Sequence, residues 1–424
     1  MSRTMSTNGS STTRRNLLKA VGGLGLAGAL GMPTILRASN EPINIGLQTE
    51  LTGILASYGY WYEKAANAAV DRLNAKGGIA GRKVVLAVEN TATKVDVGVA
   101  TVEKLIKRNN ADFLIGSLHT GVATGSVKIC RDLNTLYFSC AKADEITGEA
   151  GNRYLFRICT NSEMEAQASV SPTLIKDLGK RWSVIYADYS WGQSHLRVWK
   201  SRLVKAGCEI ASEVGVPLGT ADMLPFIAKV SRDSDAVLVA LFTSDAIGFT
   251  KQRRSMGAKY SVFGVQGLDA AISPAVLRDA AGFYVPHSLP RELQYKDTPA
   301  HRAFRDALKV DPMGKEIGSD RYISESYYWT TWEYVNLIKK AVEASGWGSK
   351  ADNDKMIQAL EGMTLQESEE FPQGTKTIRA EDHQAFAEMY ISRIDAQGRP
   401  EVLQRVPVAQ AIYPAGIDYR KQKI

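Results

Sequence analysis

The sequence predicts an α/β protein made of two similar units, each a parallel β-sheet covered by helices. Short apolar stretches alternate with helical stretches along the chain, and this alternation restarts after about residue 160. Strands separated by helices of this length imply βαβ crossovers and therefore parallel sheets. The chain has 424 residues, 44% hydrophobic and 23% charged, which is sufficient for more than one hydrophobic core.

The first unit begins with a strand of alternating polarity at 43–47 and a helix at 58–76, in which Trp61 and Leu73 fall on one face. Glycines after the helix end it and turn the chain. The remaining predicted elements are strands at 83–88, 112–116 and 136–139 and helices at 101–108 and 121–133. After Asp112, the strand at 112–116 is apolar, as expected for a buried parallel strand.

The second unit repeats this pattern. Its predicted elements are strands at 182–186, 236–241, 262–264 and 282–285 and helices at 191–206 and 246–256. The last part of the chain is predicted to hold helices at 298–309, 325–344 and 353–360 and a final β pair of 375–378 with 389–394.

These elements suggest two lobes joined by a hinge. We assign residues 41–159 plus 289–347 to lobe 1 and residues 160–288 plus 348–424 to lobe 2. Ligands of open α/β sheets bind beyond the carboxyl ends of the strands, so the cleft between the lobes is the expected small-molecule site.

Residues 1–38 have the layout of an export signal. A basic start with Arg14 and Arg15 precedes a weakly apolar, glycine-rich stretch at 20–36. The segment 13–19, TRRNLLK, resembles the twin-arginine signature, which an export receptor reads as an address. An uncleaved membrane anchor is the alternative, although the apolar run is near the lower length limit for spanning a bilayer. We expect a periplasmic protein exported by the twin-arginine route.

Composition argues against several other classes of protein. The net charge is +7, of which residues 1–38 supply +5, so the remaining +2 gives no reason to expect a nucleic-acid partner. The four cysteines form no C-x-x-C pair and are expected to be buried thiols. The sequence has no H-E-x-x-H, G-x-S-x-G or P-loop motif, so we expect no catalysis, no metal and no cofactor.

Five stretches carry a resemblance to a known family. They are GLQTELTG at 46–53, VDRLNAKGGIAGR at 70–82, LIGSLHT at 114–120, DYSWG at 188–192 and IRAEDHQ at 378–384. They resemble the branched-chain amino acid and amide binding proteins of ABC importers, which have the type I periplasmic binding fold. The resemblance covers residues 42–395. It implies a monomer of two Rossmann-like lobes that closes on a small solute and delivers it to an ABC permease complex in the inner membrane.

In lobe 1, the resemblance implies contacts at the ends of two strands. The loop at His119 and Thr120 is expected to offer a backbone N–H and a hydroxyl to the solute carboxylate. The next strand end is expected to contribute the backbone at Ala141 and Ala143. Here Ala143 replaces the family's threonine, and Lys142 lies between the two alanines.

In lobe 2, Trp191 stands where the family covers its ligand with an aromatic residue, and Phe242 replaces a tyrosine. Gln266 stands at the position of the acid that neutralises the ammonium group in amino-acid binders. Tyr58 and Tyr327 correspond to residues that line the pocket for the solute side chain.

The departures from the family pattern bear on the solute. An ammonium group buried in a closed cleft needs an acidic partner, and Gln266 carries no negative charge. Lys142 adds a cation near the carboxylate end. The sequence therefore favours a carboxylate without an amine, such as an aromatic acid, or a neutral amide or urea. Asp144, Glu145 and Asp269 are the acids that could restore the missing charge.

Plainer interpretations stand beside these. Thr120 could be only a helix N-cap, Lys142 could be a solvated lysine, and Arg153 and Arg157 are expected to form structural ion pairs. The alternative function is a solute sensor that feeds a chemoreceptor or a sensor kinase, with the same binding chemistry.

Overall fold

The computed structural model describes residues 41–265, 273–324 and 327–423. In these ranges the strands are β1 (Ile43–Thr49), β2 (Val84–Asn90), β3 (Phe113–Gly116), β4 (Leu136–Ser139), β5 (Leu155–Phe156), β6 (Arg181–Ala187), β7 (Glu209–Val216), β8 (Ala236–Ala240), β9 (Ser261–Gly264), β10 (Tyr284–His287), β11 (Thr364–Leu365), β12 (Lys376–Thr377), β13 (Met389–Ile394) and β14 (Pro400–Val406).

The α-helices in the same ranges are α1 (Ala56–Ala75), α2 (Val95–Glu103), α3 (Thr120–Asp132), α4 (Ser162–Ser169), α5 (Pro172–Leu178), α6 (Ser190–Lys205), α7 (Leu224–Ile227), α8 (Thr243–Ser255), α9 (Pro274–Leu277), α10 (Pro299–Leu308), α11 (Thr330–Ser345), α12 (Asn353–Leu360) and α13 (Val408–Ala411). A π-helical turn, Lys104–Arg108, extends α2.

The first sheet has the strand order β2-β1-β3-β4-β5, and all of its strands are parallel. Its centre is wholly buried because both faces of β3 are covered. Helices α1 and α11 pack together beside it, and Thr331 Oγ1 of α11 donates to the carbonyl of Tyr62 of α1 at 2.7 Å. The parallel sheet predicted for this half of the chain is confirmed.

The second sheet has the order β14-β13-β10-β9-β8-β6-β7. Five of its strands are parallel, while β13 runs antiparallel to β10 and β14 runs antiparallel to β13. The predicted pairing of 375–378 with 389–394 is therefore wrong. β12 pairs with the two-residue strand β11, which is too short to show a periodicity, and β13 pairs with β14, which was not among the predicted strands.

The segment 347–383 contacts the first sheet and its loops. The ring of Trp347 lies 4.7 Å from that of Phe113, and Asn353 Nδ2 donates to the carbonyl of Asn134 at 2.8 Å. The Trp347 contact agrees with the assignment of 289–347 to lobe 1, whereas the Asn353 contact differs from the assignment of 348–424 to lobe 2, and the division of the lobes stays a prediction. The apolar pattern of α12 marks a helix, but it does not specify which sheet that helix covers.

Three further features bear on the class of protein. No helix in the ranges described is long and apolar enough to cross a membrane. The four cysteines are free thiols and all are buried, as the sequence predicted. Within the same ranges, no group of three or more His, Cys, Asp and Glu residues is placed to hold a metal ion.

Candidate functional site

An aromatic cluster forms where the carboxyl ends of the strands of the two sheets meet. The ring centroid of Tyr58, on α1, lies 4.8 Å from that of Tyr327 and 5.9 Å from that of Phe242. Trp191, in the first turn of α6, lies 4.0 Å from Phe242, which precedes α8. All four side chains are buried. The structure thus brings together four of the predicted site residues, and their contact with a solute stays a prediction.

Tyr189 completes this cluster, although the sequence analysis did not select it. Its ring centroid lies 5.4 Å from that of His119 on the first-sheet side, and 6.2 Å from Trp191 and 6.3 Å from Phe242 on the second-sheet side. Tyr189 belongs to the DYSWG stretch, and its place beside Trp191 in that family motif is the sequence feature that could have indicated its role in the cluster. Because these rings bridge the two sheets directly, the cleft is closed in this structure.

Lys142 extends from the loop after β4 into this cluster. Its side chain is 0% exposed, and its Nζ lies 3.9 Å from the ring centroid of Tyr327 and 3.4 Å from Glu165 Oε1. Glu165 Oε1 also accepts a hydrogen bond from Thr160 Oγ1 at 3.0 Å. The interpretation of Lys142 as a solvated surface lysine is therefore wrong, because the lysine is fully buried beside an aromatic face and a carboxylate.

His195 lies on the other side of Glu165. Its Nε2 is 3.8 Å from Glu165 Oε2, and its ring packs edge-on against Trp191 at 4.6 Å. Burial, and to a lesser extent the charge of Lys142, lower the pKa of His195 to about 3. The imidazole is therefore neutral near pH 7, and the charges of this group are those of one lysine and one glutamate.

The hydrogen-bond donors of the loop before α3 are already bound to an acidic side chain of the protein. The Glu50 carboxylate, at the end of β1, accepts hydrogen bonds from Ser117 Oγ, from the N–H of Leu118 at 3.2 Å and from the N–H of His119 at 3.1 Å. Burial raises the pKa of Glu50, while these hydrogen bonds oppose that shift. The N–H of His119 that the resemblance assigned to a solute carboxylate therefore has an internal partner.

His119, and not Thr120, is the N-cap of α3. Its Nδ1 accepts a hydrogen bond from the N–H of Val122 at 3.4 Å, and burial lowers the pKa of His119, which keeps the ring neutral. The alternative that Thr120 serves only as this cap is therefore wrong. Thr120 Oγ1 is buried and has no hydrogen-bond partner in the part of the chain described. Its hydroxyl is available to a solute.

Arg157 engages the backbone on both sides of Lys142. Its Nη1 donates to the carbonyl of Ala141 at 2.9 Å and to that of Ala143 at 2.7 Å. These carbonyls, predicted as solute contacts, thus have an internal donor. Arg153 forms the predicted ion pair, with Nε 2.8 Å from Glu361 Oε1, whereas the hydrogen bonds of Arg157 go to neutral oxygen atoms.

The nearby acids of the 144–147 turn also have partners. Asp144 Oδ2 accepts a hydrogen bond from Ser194 Oγ of α6 at 2.8 Å, and burial raises the pKa of Asp144 to about 6. Glu145 Oε2 lies 3.8 Å from Arg197 Nη2, also on α6. Both acids therefore link the first-sheet side to the second-sheet side.

Two of the sequence-based candidates are not placed. Gln266 and Asp269 lie outside the residues that the structure describes. Whether Gln266 faces the cleft stays a prediction, and so does the restoration of a negative charge by Asp269.

Comparison with known sequences places residues 42–399 in a family described as periplasmic binding proteins. Among curated relatives, the Leu/Ile/Val-binding protein BraC3 of Rhizobium johnstonii is 25% identical over 325 residues, which cover 76% of this chain and 84% of the relative.

Solved structures share the fold. The branched-chain amino acid transporter substrate binding protein LivJ of Streptococcus pneumoniae, in complex with isoleucine, has a TM-score of 0.72 at 19% identity. The match covers 85% of this chain and 99% of LivJ. A solute-binding protein of an R. palustris ABC transporter, in complex with benzoate, has a TM-score of 0.73 at 20% identity. The match covers 89% of this chain and 98% of that protein's chain.

Proposed function

The chain belongs to the family of periplasmic binding proteins, and on this premise we propose that it is the solute receptor of an ABC importer. In this proposal it reaches the periplasm by the twin-arginine route, acts as a monomer, closes on one small molecule and delivers it unchanged to a permease in the inner membrane. The motifs at 13–19 and 70–82 and the names of the relatives support this assignment.

The proposed solute is a carboxylate without an amine, with a flat apolar body. One observation carries this proposal: the buried Lys142 ammonium lies among the aromatic rings of the cleft, 3.9 Å from the centroid of Tyr327. A carboxylate is the natural partner of a desolvated ammonium group. The rings of Tyr58, Trp191 and Phe242 offer apolar walls to an aromatic body.

The acceptors described near the cleft already have internal donors. Glu50 is engaged by three donors, and Arg157 donates to the carbonyls of Ala141 and Ala143, while Glu165 lies beside Lys142. An ammonium group would have to displace these internal donors, and each displaced donor would be left unsatisfied in a buried site. This cost supports selection against free amino acids. The benzoate bound by the R. palustris relative is consistent with this solute class.

Closure is the proposed mechanism. A solute that contacts Lys142 and Thr120 on one side and Trp191 and Phe242 on the other binds the closed form better than the open form, and so shifts the population towards closure. We propose that the chain crosses between the lobes near residues 160, 288 and 386. In this proposal the segment 347–383 moves with the first sheet, because the segment contacts that sheet and its loops.

Isothermal titration of the purified protein with matched pairs of compounds tests the solute class. Benzoate and benzamide differ in the carboxylate charge, whereas 3-phenylpropanoate and phenylalanine differ by the α-ammonium group. We expect the two amine-free carboxylates to bind at least about tenfold more tightly than their partners. Micromolar binding of leucine or phenylalanine, with none of benzoate or 3-phenylpropanoate, would contradict the proposal. Mass spectrometry of ligand retained by protein from its native host would identify the solute.

A further inference from the structure

The ion pair between Lys142 and Glu165 differs from the ion pairs at the surface. Its side chains are 0% and 1% exposed, and the two residues belong to different sides of the cleft. Lys142 follows β4 of the first sheet, whereas Glu165 lies on α4, which packs on α6, β10 and β13 of the second-sheet side. The pair therefore closes across the site where the solute carboxylate is proposed to bind.

Glu165 is held in place by a group other than the lysine. Thr160 Oγ1 donates to Glu165 Oε1 at 3.0 Å. In the closed form the acid therefore lies beside Lys142 and is the charged partner of its ammonium group.

We infer that Glu165 competes with the solute carboxylate for Lys142, and so sets the affinity and the charge selectivity of the site. This inference rests on the proposed function and adds to it a residue that acts through Lys142. A solute carboxylate that approaches Lys142 must share the ammonium group with Glu165, and the two negative charges repel each other in a buried site. Because His195 is neutral near pH 7, the imidazole supplies no compensating positive charge.

Weakened binding has a use in a transport receptor. A receptor that must hand over its solute requires release as well as capture, and an internal carboxylate that repels the solute carboxylate in the closed form favours release. Glu165 would then lower the affinity for anionic solutes only. It would leave the affinity for a neutral solute of the same shape unchanged.

The test is the titration of E165Q with benzoate and with benzamide. Removing the negative charge leaves Lys142 without a charged partner, so we expect benzoate to bind at least about tenfold more tightly than it binds the wild type. Benzamide binding should change by less than about twofold. E163Q is the matched control, because Glu163 lies on the same helix and pairs with Arg202 away from Lys142. Its benzoate affinity should equal that of the wild type.

Two further variants guard against a fold defect and against an indirect effect. E165D keeps the charge on a shorter side chain and should show a smaller gain in benzoate affinity than E165Q. In the K142M background, E165Q should bring a smaller gain than in the wild type, because the group for which the two carboxylates compete is absent and only their repulsion is relieved. Thermal melts of each variant establish that it is folded.

The outcomes separate the inference from the proposed function. If the wild type binds benzoate and neither E165Q nor E165D binds it more tightly, the inference fails and the proposed solute class stands. The inference also fails if benzamide affinity rises equally, or if the gain with K142M is as large as in the wild-type background. If neither the wild type nor any Glu165 variant binds benzoate or 3-phenylpropanoate, both fail. A gain confined to carboxylates and dependent on Lys142 supports the inference.

Discussion

The carboxylate of Glu50 accepts a hydrogen bond from the backbone N–H of His119, with 3.1 Å between Oε1 and N. The N-terminus of a helix is a ready site for an anion, because its N–H groups are unpaired and its dipole favours negative charge. In this protein that position before α3 is filled by an internal carboxylate. In the proposed function, the solute therefore meets the Thr120 hydroxyl at this end of the cleft, and Lys142 is the principal candidate for binding its carboxylate.

Replacing Glu50 tests this relationship through stability. In E50A, Ser117 Oγ and the N–H of Leu118 lose their acceptor, and the N–H of His119 keeps only Ser117 Oγ, so the free energy of unfolding should fall by about 3 kcal/mol. E50Q retains one acceptor oxygen and should lose less. Urea denaturation followed by circular dichroism measures both values. E103A, which changes an exposed acid of α2, is the control, and an equal loss there would contradict the assignment.

Replacing Lys142 tests the proposed carboxylate contact. K142M keeps the apolar stem and removes the charge, so benzoate affinity should fall by at least about thirtyfold, as expected for a desolvated charge pair. Titration calorimetry measures the change. K128M alters an exposed lysine of α3 and should leave the affinity unchanged. Undiminished benzoate binding by K142M would remove this lysine from the site.

Two tryptophans of α6 offer a matched test of the aromatic wall. Trp191 faces the cleft, 4.0 Å from Phe242, whereas Trp199 lies 4.9 Å from Phe263 in the core of the second-sheet side. W191A should weaken benzoate binding by about tenfold. W199A should instead lower the free energy of unfolding by about 3 kcal/mol and leave the affinity of the folded protein unchanged. If W191A lowered the free energy of unfolding and left benzoate affinity unchanged, Trp191 would be only a core residue.

The turn that carries Asp144 should make stability depend on pH. Burial raises the pKa of Asp144 from 3.8 to about 6, so folding favours its protonated form. The stabilisation from this group is complete below about pH 4 and is lost as the pH rises through about 6. D144N lacks this dependence, and its stability relative to the wild type should rise by about 2 kcal/mol between pH 4 and pH 7. Urea unfolding at both pH values measures the difference, and a relative stability that falls with rising pH would contradict the prediction.

The export route is tested by the two arginines of the leader. Changing Arg14 and Arg15 together to lysine preserves the charge but removes the signature that the export receptor reads, so the protein should accumulate in the cytoplasm. Fractionation and immunoblotting follow its location. R37K, outside the signature, is the control and should be exported normally. Continued export of the double variant would indicate a different route.

Several features of the protein were accessible from the sequence alone. The alternation of strands and helices predicted the parallel first sheet, since each buried strand such as β3 is a short apolar run. Register against the family motifs placed Tyr58, Trp191 and Phe242 near one another, and the structure brings their rings into contact. These features depend on local periodicity and on the rule that strand ends share one edge of a sheet.

Only the tertiary structure decided which polar groups already have partners. Glu50 and His119 are 69 positions apart in the sequence, and Lys142 and Glu165 are 23 positions apart. Arg157 donates to backbone carbonyls, and the sequence gives no sign of which carbonyl a side chain will reach. Whether a donor or an acceptor is free for a solute depends on distances between atoms from separate elements, which no local pattern encodes. The hydrophobic pattern therefore determined the sheets and the apolar walls of the cleft. Long-range packing determined which charged and polar groups of the cleft are left for a solute.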